Sequence, residues 1–197
     1  MSGLVREHRL MIDVSAAATV DELFAVLERS HGVWDAPDGL GDPVDILDHS
    51  LQCANVLAAY APEDPELQVA GLVHDLGHVV TPEHWAEHGE TGAAYVRELL
   101  GRRVARLTEL HVPAKRYLVM TDASYAASLS AGSALSLEVQ GGGLSEAEVA
   151  ELAADPDLAD ALTLRRADEA AKVIGAEVPG LDRWRPVVER VVANLAR

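Results

Sequence analysis

Residues 69–78 read VAGLVHDLGH, an apolar run with helical spacing that ends on a histidine–aspartate doublet and a further histidine. Val69, Ala70, Leu72 and Val73 fit a buried helix. His74 and Asp75 at its end are costly to bury unless they coordinate something. Upstream, the stretch Asp45–Tyr60 sets Ile46, Leu51, Ala54, Leu57 and Ala58 around one side, with Pro43 before it and Pro62 after it. His49 falls within that helix, in ILDHSLQCA, again among apolar neighbours. Apolar residues recur at intervals of three and four through most of the chain, and no stretch alternates as a half-buried strand does. The fold class is therefore all-α.

The same reading extends in both directions. A helix from Pro65 to Leu76 is expected to close at Gly77 as its C-terminal cap. Another spans Glu90–Leu100 and closes at Gly101, and Pro113 suits the first turn of a further helix carrying Lys115–Met120. Ser124–Gln140 reads as an interrupted helix before Gly141-Gly142-Gly143, where backbone is expected to approach something closely. Ser145 opens SEAE, a capping-box pattern for a helix that ends before Asp155-Pro156. Helices over Asp157–Ile174 and Trp184–Ala196 complete the chain. The first forty residues carry the weakest pattern, and DAPDGLGDP, from Asp35 to Pro43, reads as an ordered loop over the core. With 197 residues and no linker or internal repeat, one domain over 1–197 is expected.

Charge excludes some functions. Acidic residues outnumber basic ones 32 to 16, a formal charge of −16, which has the wrong sign for holding nucleic acid by its phosphates. No apolar run reaches the ~18 residues of a bilayer span, and MSGLVREHRL lacks a signal peptide's apolar segment, so a cytoplasmic protein with no membrane contact is expected. The single cysteine, Cys53, excludes an intrachain disulfide and an all-thiolate metal site. Metal chemistry must then rest on His, Asp and Glu.

Five of the eight histidines lie between His49 and His88, and His111 follows shortly. Taken singly, each reads as a hydrogen-bonded core or surface histidine. Imidazole is also the commonest metal ligand, and a carboxylate beside it can bridge two cations. Taken together, His49, then His74-Asp75, then the distant helical Asp168 resemble the ligand order of the HD-domain superfamily. EHGETGAAYVREL and HVPAKRYL add His88 and His111, which narrows the resemblance to the HD-domain mixed-valent diiron oxygenases. That family includes the phosphonate-cleaving PhnZ type and myo-inositol oxygenase. HVPAKRYL, LSAGSALSLEVQGGGLSEAE and LRRADEAAK resemble consecutive blocks of the phosphonate type, over about residues 39–172.

The resemblance implies an HD-domain helical bundle with a buried dinuclear site. Its metal ligands would be His49, His74, Asp75, His88, His111 and Asp168, holding two iron ions as a mixed-valent pair with dioxygen as co-substrate. It also implies that His78, Lys115, Ser133 and Arg165 bind a phosphonate, His78 and Lys115 in catalytic roles, with Gln140 as a further hydrogen-bond partner. Lys115 lies at i+4 from His111 and Arg165 at i−3 from Asp168, so both share helix faces with the ligands. His84, four residues before His88, competes for its role, and the surrounding EHG-x-x-GA selects His88. Where the phosphonate family has a tyrosine and a glutamate, this chain has Gly39 and Asp42; Asp42 can stand in for the acid. The implied reaction is oxidative cleavage of the carbon–phosphorus bond of a small 1-hydroxyphosphonate, such as 2-amino-1-hydroxyethylphosphonate or an N-methylated analogue. The expected partner is that small anion, with no obligatory protein partner. A metal-dependent phosphohydrolase, a polyol oxygenase and a non-enzymatic metal-stabilised binding module are the competing readings. Trp34, Trp85, Tyr60, Tyr95 and Tyr125 are numerous enough to cage a quaternary ammonium, or else belong to the core.

Overall fold

A computed structural model describes residues 15–36 and 41–195, so Gly39 lies outside the described residues. The described elements are helical: α1 (Val20–Arg29), α2 (Ile46–Tyr60), α3 (Pro65–Val73), α4 (Gly77–Val80), α5 (His88–Thr121), α6 (Ala123–Ser128), α7 (Ala131–Val139), α8 (Glu146–Ala153), α9 (Leu158–Ala170) and α10 (Leu181–Leu195). A 3-10 turn, Pro82–Glu87, joins α4 to α5. The long α5 packs against α3, α4 and α9, α2 lies across α3 and α9, and α10 covers α3 and α5. Leu57, Leu72, Leu76, Leu100, Leu107, Leu164 and Trp184 fill the core between them. None of the described helices is long and apolar enough to cross a membrane.

Local chemistry explains most of the boundaries. The Asp45 carboxylate caps α2 by accepting the Asp48 N–H at 2.9 Å. Asp64 caps α3 in the same way through Leu67 N–H, with Pro65 in the first turn. Ser145 and Glu148 form the expected reciprocal capping box of α8. The expected interruption of Ser124–Gln140 falls at Leu129, which leaves the helical region before Ser130 caps α7. The weakly patterned N-terminal part nevertheless forms α1, whose Thr19 hydroxyl accepts the Glu22 N–H while Glu22 accepts the Ala18 N–H.

Four expectations change. Gly77 does not cap α3: the helix stops at Val73, and Gly77 starts α4 because a side chain there would collide with the backbone of His88. Pro113 lies inside α5, whose break falls instead at Gly101 (φ +82°), so His111 is within a helix and not at its mouth. The apolar face that continues from Val104 through Leu107, Leu110 and Ala114 to Leu118 outweighs the proline's lost hydrogen bond. Within the triple glycine, Gly141 and Gly142 supply left-handed backbone (φ +94° and +70°), and close approach is confined to Gly143, against Met120. Finally, α9 ends at Ala170 rather than Ile174, because the Ala171 carbonyl and both backbone groups of Val173 turn to α2, where they pair with His49 and Gln52.

Candidate metal centre

Four imidazoles converge where α2, α3, α5 and α9 meet, and each is oriented by a backbone carbonyl. The Nδ1–H groups of His49, His74, His88 and His111 donate to Ala171, Gly71, Trp85 and Thr108 at 2.9, 2.9, 2.8 and 2.6 Å. A carbonyl only accepts, so these bonds fix the tautomer and leave Nε2 as a lone pair. The lone pairs then meet head to head: His49 Nε2 is 3.1 Å from His74 Nε2, and His88 Nε2 is 2.9 Å from His111 Nε2. Two acceptors at such distances repel unless a cation or proton sits between them. Asp75 joins the pairs. Its Oδ2 is 3.4 Å from His49 and His74 Nε2, while its Oδ1 is 3.4 Å from His88 and 3.5 Å from His111. Asp168 Oδ1 adds a second carboxylate 3.3 Å from His49.

The chemistry of this donor set fits two metal ions, with imidazole and carboxylate ligands and one bridging carboxylate. His49, His74 and Asp168 form one buried group of ligand atoms, and Asp75, His78 and His88 form another. His111 belongs with the second group by its contact with His88, and the His78 ring stacks on His88 with centroids 4.0 Å apart. Burial pushes the pKa values of His74, His78 and His111 below the usual imidazole range, which favours the neutral rings that bind metal. Against its own burial, His49 is carried up to about 9 by Asp168 and Asp75, a proton there standing where a metal would. Burial also opposes ionisation of Asp75 and Asp168, yet the imidazoles around Asp75 and the Arg165 guanidinium beside Asp168 hold both well below the usual carboxylate range.

Beside the centre is a cavity of about 30 Å³, walled by His78, Lys115, Ser133, Arg165, Asp42 and Lys172 among others. Lys115 Nζ donates to Ser136 Oγ at 2.7 Å, its one hydrogen-bond partner among the described residues. Burial, reinforced by Arg165, pushes the Lys115 pKa down to about 7. Arg165 is more fully engaged. Its Nε donates to Tyr125 Oη at 2.6 Å and its Nη2 to Ser133 Oγ at 2.8 Å, while its fork also grips Asp168 and Glu169. Ser133 Oγ in turn donates to Glu169 at 2.8 Å.

Of the twelve sequence-derived site residues, eleven meet at this cavity or the His/Asp cluster and Gln140 does not. Gln140 lies at a separate cavity bordered by Glu87, Arg106 and Arg116, where its amide has no partner among the described residues. His84 sits in the 3-10 turn away from the cluster, and Cys53 is a buried core residue. Trp34 and Tyr60 are exposed, Tyr95 joins the core, and none of the five aromatics walls the cavity. Asp35, Ser136, Glu169 and Lys172 are the additions the structure makes. Arg165, Asp168, Glu169 and Lys172 follow at i, i+3, i+4 and i+7, a spacing that puts them along one helix face and could have revealed the last two.

A family model for the HD domain matches residues 46–169. The chain is 39% identical over 158 residues to a protein of Gimesia maris named hydroxymethylphosphonate dioxygenase, covering 75% of this chain and 78% of that one. It is 32% identical over 180 residues to a protein of Leisingera caerulea named as a glycine-betaine-forming dioxygenase of 1-hydroxy-2-(trimethylamino)ethylphosphonate, covering 85% and 90%.

Proposed function

The chain belongs to the HD-domain family, and from that premise we propose that it is an iron-dependent oxygenase that cleaves the carbon–phosphorus bond of a small 1-hydroxyphosphonate. Dioxygen is the co-substrate, and phosphate and a carboxylate are the products. The observation that carries this reading is the pair of facing Nε2 couples spanned by Asp75, set directly beside three buried cationic side chains. A dinuclear centre next to positive charge suits an anionic substrate that must also meet an oxidant. The two relatives, both named as hydroxyphosphonate dioxygenases, point the same way.

His49, His74 and Asp168 would hold one metal, His88 and His111 the other, with Asp75 shared. Two iron ions supply Lewis acidity and the redox capacity to activate dioxygen when bound. The protein's own work is orientation and charge. Lys115, with N–H groups to spare beyond Ser136, is the first donor for the phosphonate. Arg165 and Ser133 face the same anion, but each also holds a neighbouring carboxylate, so they exchange partners or share them when it enters. Neutral His78 offers one donor or acceptor at the wall beside His88. We assign the protein to the cytoplasm, in keeping with its single, buried free cysteine.

Phosphate release from a 1-hydroxyphosphonate by iron-loaded protein tests the reading. Release should require dioxygen and consume it in proportion, and partly reduced protein should show the electron paramagnetic resonance of a coupled mixed-valent pair. Undiminished release under strict anaerobiosis would make the protein a hydrolase.

A further inference from the structure

The cavity holds one buried cation that the reaction above leaves without a task. Lys172 follows the end of α9, its side chain is 8% exposed, and its ammonium points back into the acidic end of the cavity. Nζ meets Asp42 Oδ2 at 2.7 Å, Ser133 Oγ at 2.6 Å, Ser130 Oγ at 3.1 Å and Glu169 Oε2 at 3.4 Å, so its three N–H groups are fully taken up. Asp42 gives Oδ2 to Lys172, while its Oδ1 is buried without a hydrogen-bond partner among the described residues and is turned against Gly132, where an added Cβ would come within 2.7 Å of it. Its neighbour Asp35 accepts the Asp42 N–H at 2.9 Å.

We propose that Lys172 is a specificity-determining residue: a built-in counter-ion for Asp42 that occupies the acidic end of the cavity and restricts the site to hydroxyphosphonates without a cationic substituent. The inference rests on the hydroxyphosphonate reading and narrows it to substrates that, like hydroxymethylphosphonate, carry no cationic group. A substrate ammonium reaching for Asp42 would have to displace the Lys172 ammonium or lie beside it, a like-charge contact in a buried place. A quaternary ammonium lacks N–H groups and needs aromatic faces, and no Trp, Tyr or Phe walls the cavity among the described residues.

The test compares hydroxymethylphosphonate with 2-amino-1-hydroxyethylphosphonate on iron-loaded protein, by anaerobic calorimetric binding and by aerobic phosphate release. Wild type should favour the compound without an amine about tenfold or more in Kd and in kcat/KM. Lys172→Met should shift that ratio toward the aminated compound by a similar factor, and adding Asp42→Asn should cancel the shift. A lysine that only braces the fold would depress both substrates alike, so an unchanged ratio in Lys172→Met overturns the proposal. If that variant does not fold, Lys172→Gln takes its place, and a wild-type preference for the aminated compound refutes the proposal on its own. Failure of wild type to bind or turn over either compound would instead overturn the hydroxyphosphonate reading, and this inference with it.

Discussion

The same helices are tied together twice, at opposite ends, by charge of very different kinds. At one end Arg103 of α5 forks onto Asp64, the cap of α3, with both N–O distances at 2.7 Å, and reaches Asp160 of α9 at 2.8 Å. At the other end His74 closes α3, His111 comes from α5 and Asp168 from the last turn of α9. The surface cluster gives Arg103 three carboxylates, Asp64, Asp160 and Glu66, and its surplus negative charge sits on groups about a third exposed to water. It is complete as it stands. The buried cluster sets acceptor against acceptor and anion beside anion, and is completed only by something positive. Charges that water reaches hold helices together without a resident ion, whereas buried acceptors and anions that water does not reach form a receptor for what is missing.

Stripping the metals should expose that difference most clearly. A ligand present at ~1,000 times its Kd stabilises by about 4 kcal/mol, which for a chain of this size is roughly 8–16 °C in Tm. Calorimetry before and after chelation should show a fall of that order, and an unchanged Tm would mean that the buried cluster balances itself after all. Asp75→Ala should lower metal content from two per chain to below one, because each facing pair loses its shared carboxylate; retention of two metals at wild-type affinity would remove the bridge. His111→Ala should weaken one site preferentially.

The cationic wall sharpens the comparison further. Losing a charge-assisted hydrogen bond of about 1.5–3 kcal/mol should make Lys115→Ala tenfold to a hundredfold weaker toward a hydroxyphosphonate, with metal content unchanged. Arg165→Ala should cost as much and also loosen metal at the Asp168 site, since its guanidinium holds that carboxylate. Titration of wild type gives a smaller effect. With Lys115 at about 7 in the free protein, affinity for the phosphonate dianion should decline above that pH, as binding must then recruit a proton for the amine. The decline should vanish in Lys115→Ala, and a decline that persists unchanged in that variant would show that Lys115 is not the anion's partner.

Smallest of all is the surface cluster. Arg103→Ala should cost about 0.2–1 kcal/mol by denaturant unfolding, less at high salt, with two metals retained. The Arg103 hydrogen bond lowers the Asp64 pKa below 3.8. Its contribution is therefore present above that pH and lost only as pH falls through the lower folded value, leaving stability near neutrality unaffected.

The sequence made the His/Asp cluster more legible than the rest of the cavity. His49, His74, Asp75, His88, His111 and Asp168 stood out because imidazoles and carboxylates are expensive among apolar neighbours, so their pattern carried information about a resident cation. Lys172 did not: it shares a helix face with Arg165 and Asp168, but a lysine on a helix reads as a solvated charge until Asp42, 130 positions upstream, is brought to it. Helix α1 was within reach of sequence reasoning through Thr19, Glu22 and the spacing of Leu23, Phe24, Val26 and Leu27, but its flanks carry little pattern. Pro113 and Gly77 were read for what they do to their own helix. Their places are set by long-range packing, which local propensity does not encode.

Gly77 has a consequence for how this protein can change. A methyl group there would run into the backbone of His88; one at Gly92 would come within 3.1 Å of Gly77 N, and one at Gly89 within 3.2 Å of the His111 ring. The wall made by α4 and α5 thus has its side-chain volume minimised wherever its helices cross, and mutational drift there meets steric failure before it meets new chemistry. The opposite wall, built from α7 and the end of α9, presents polar side chains to the cavity and is closed in this way only at Gly132, against Asp42. Libraries seeking a new substrate range should randomise that wall and leave the glycines alone.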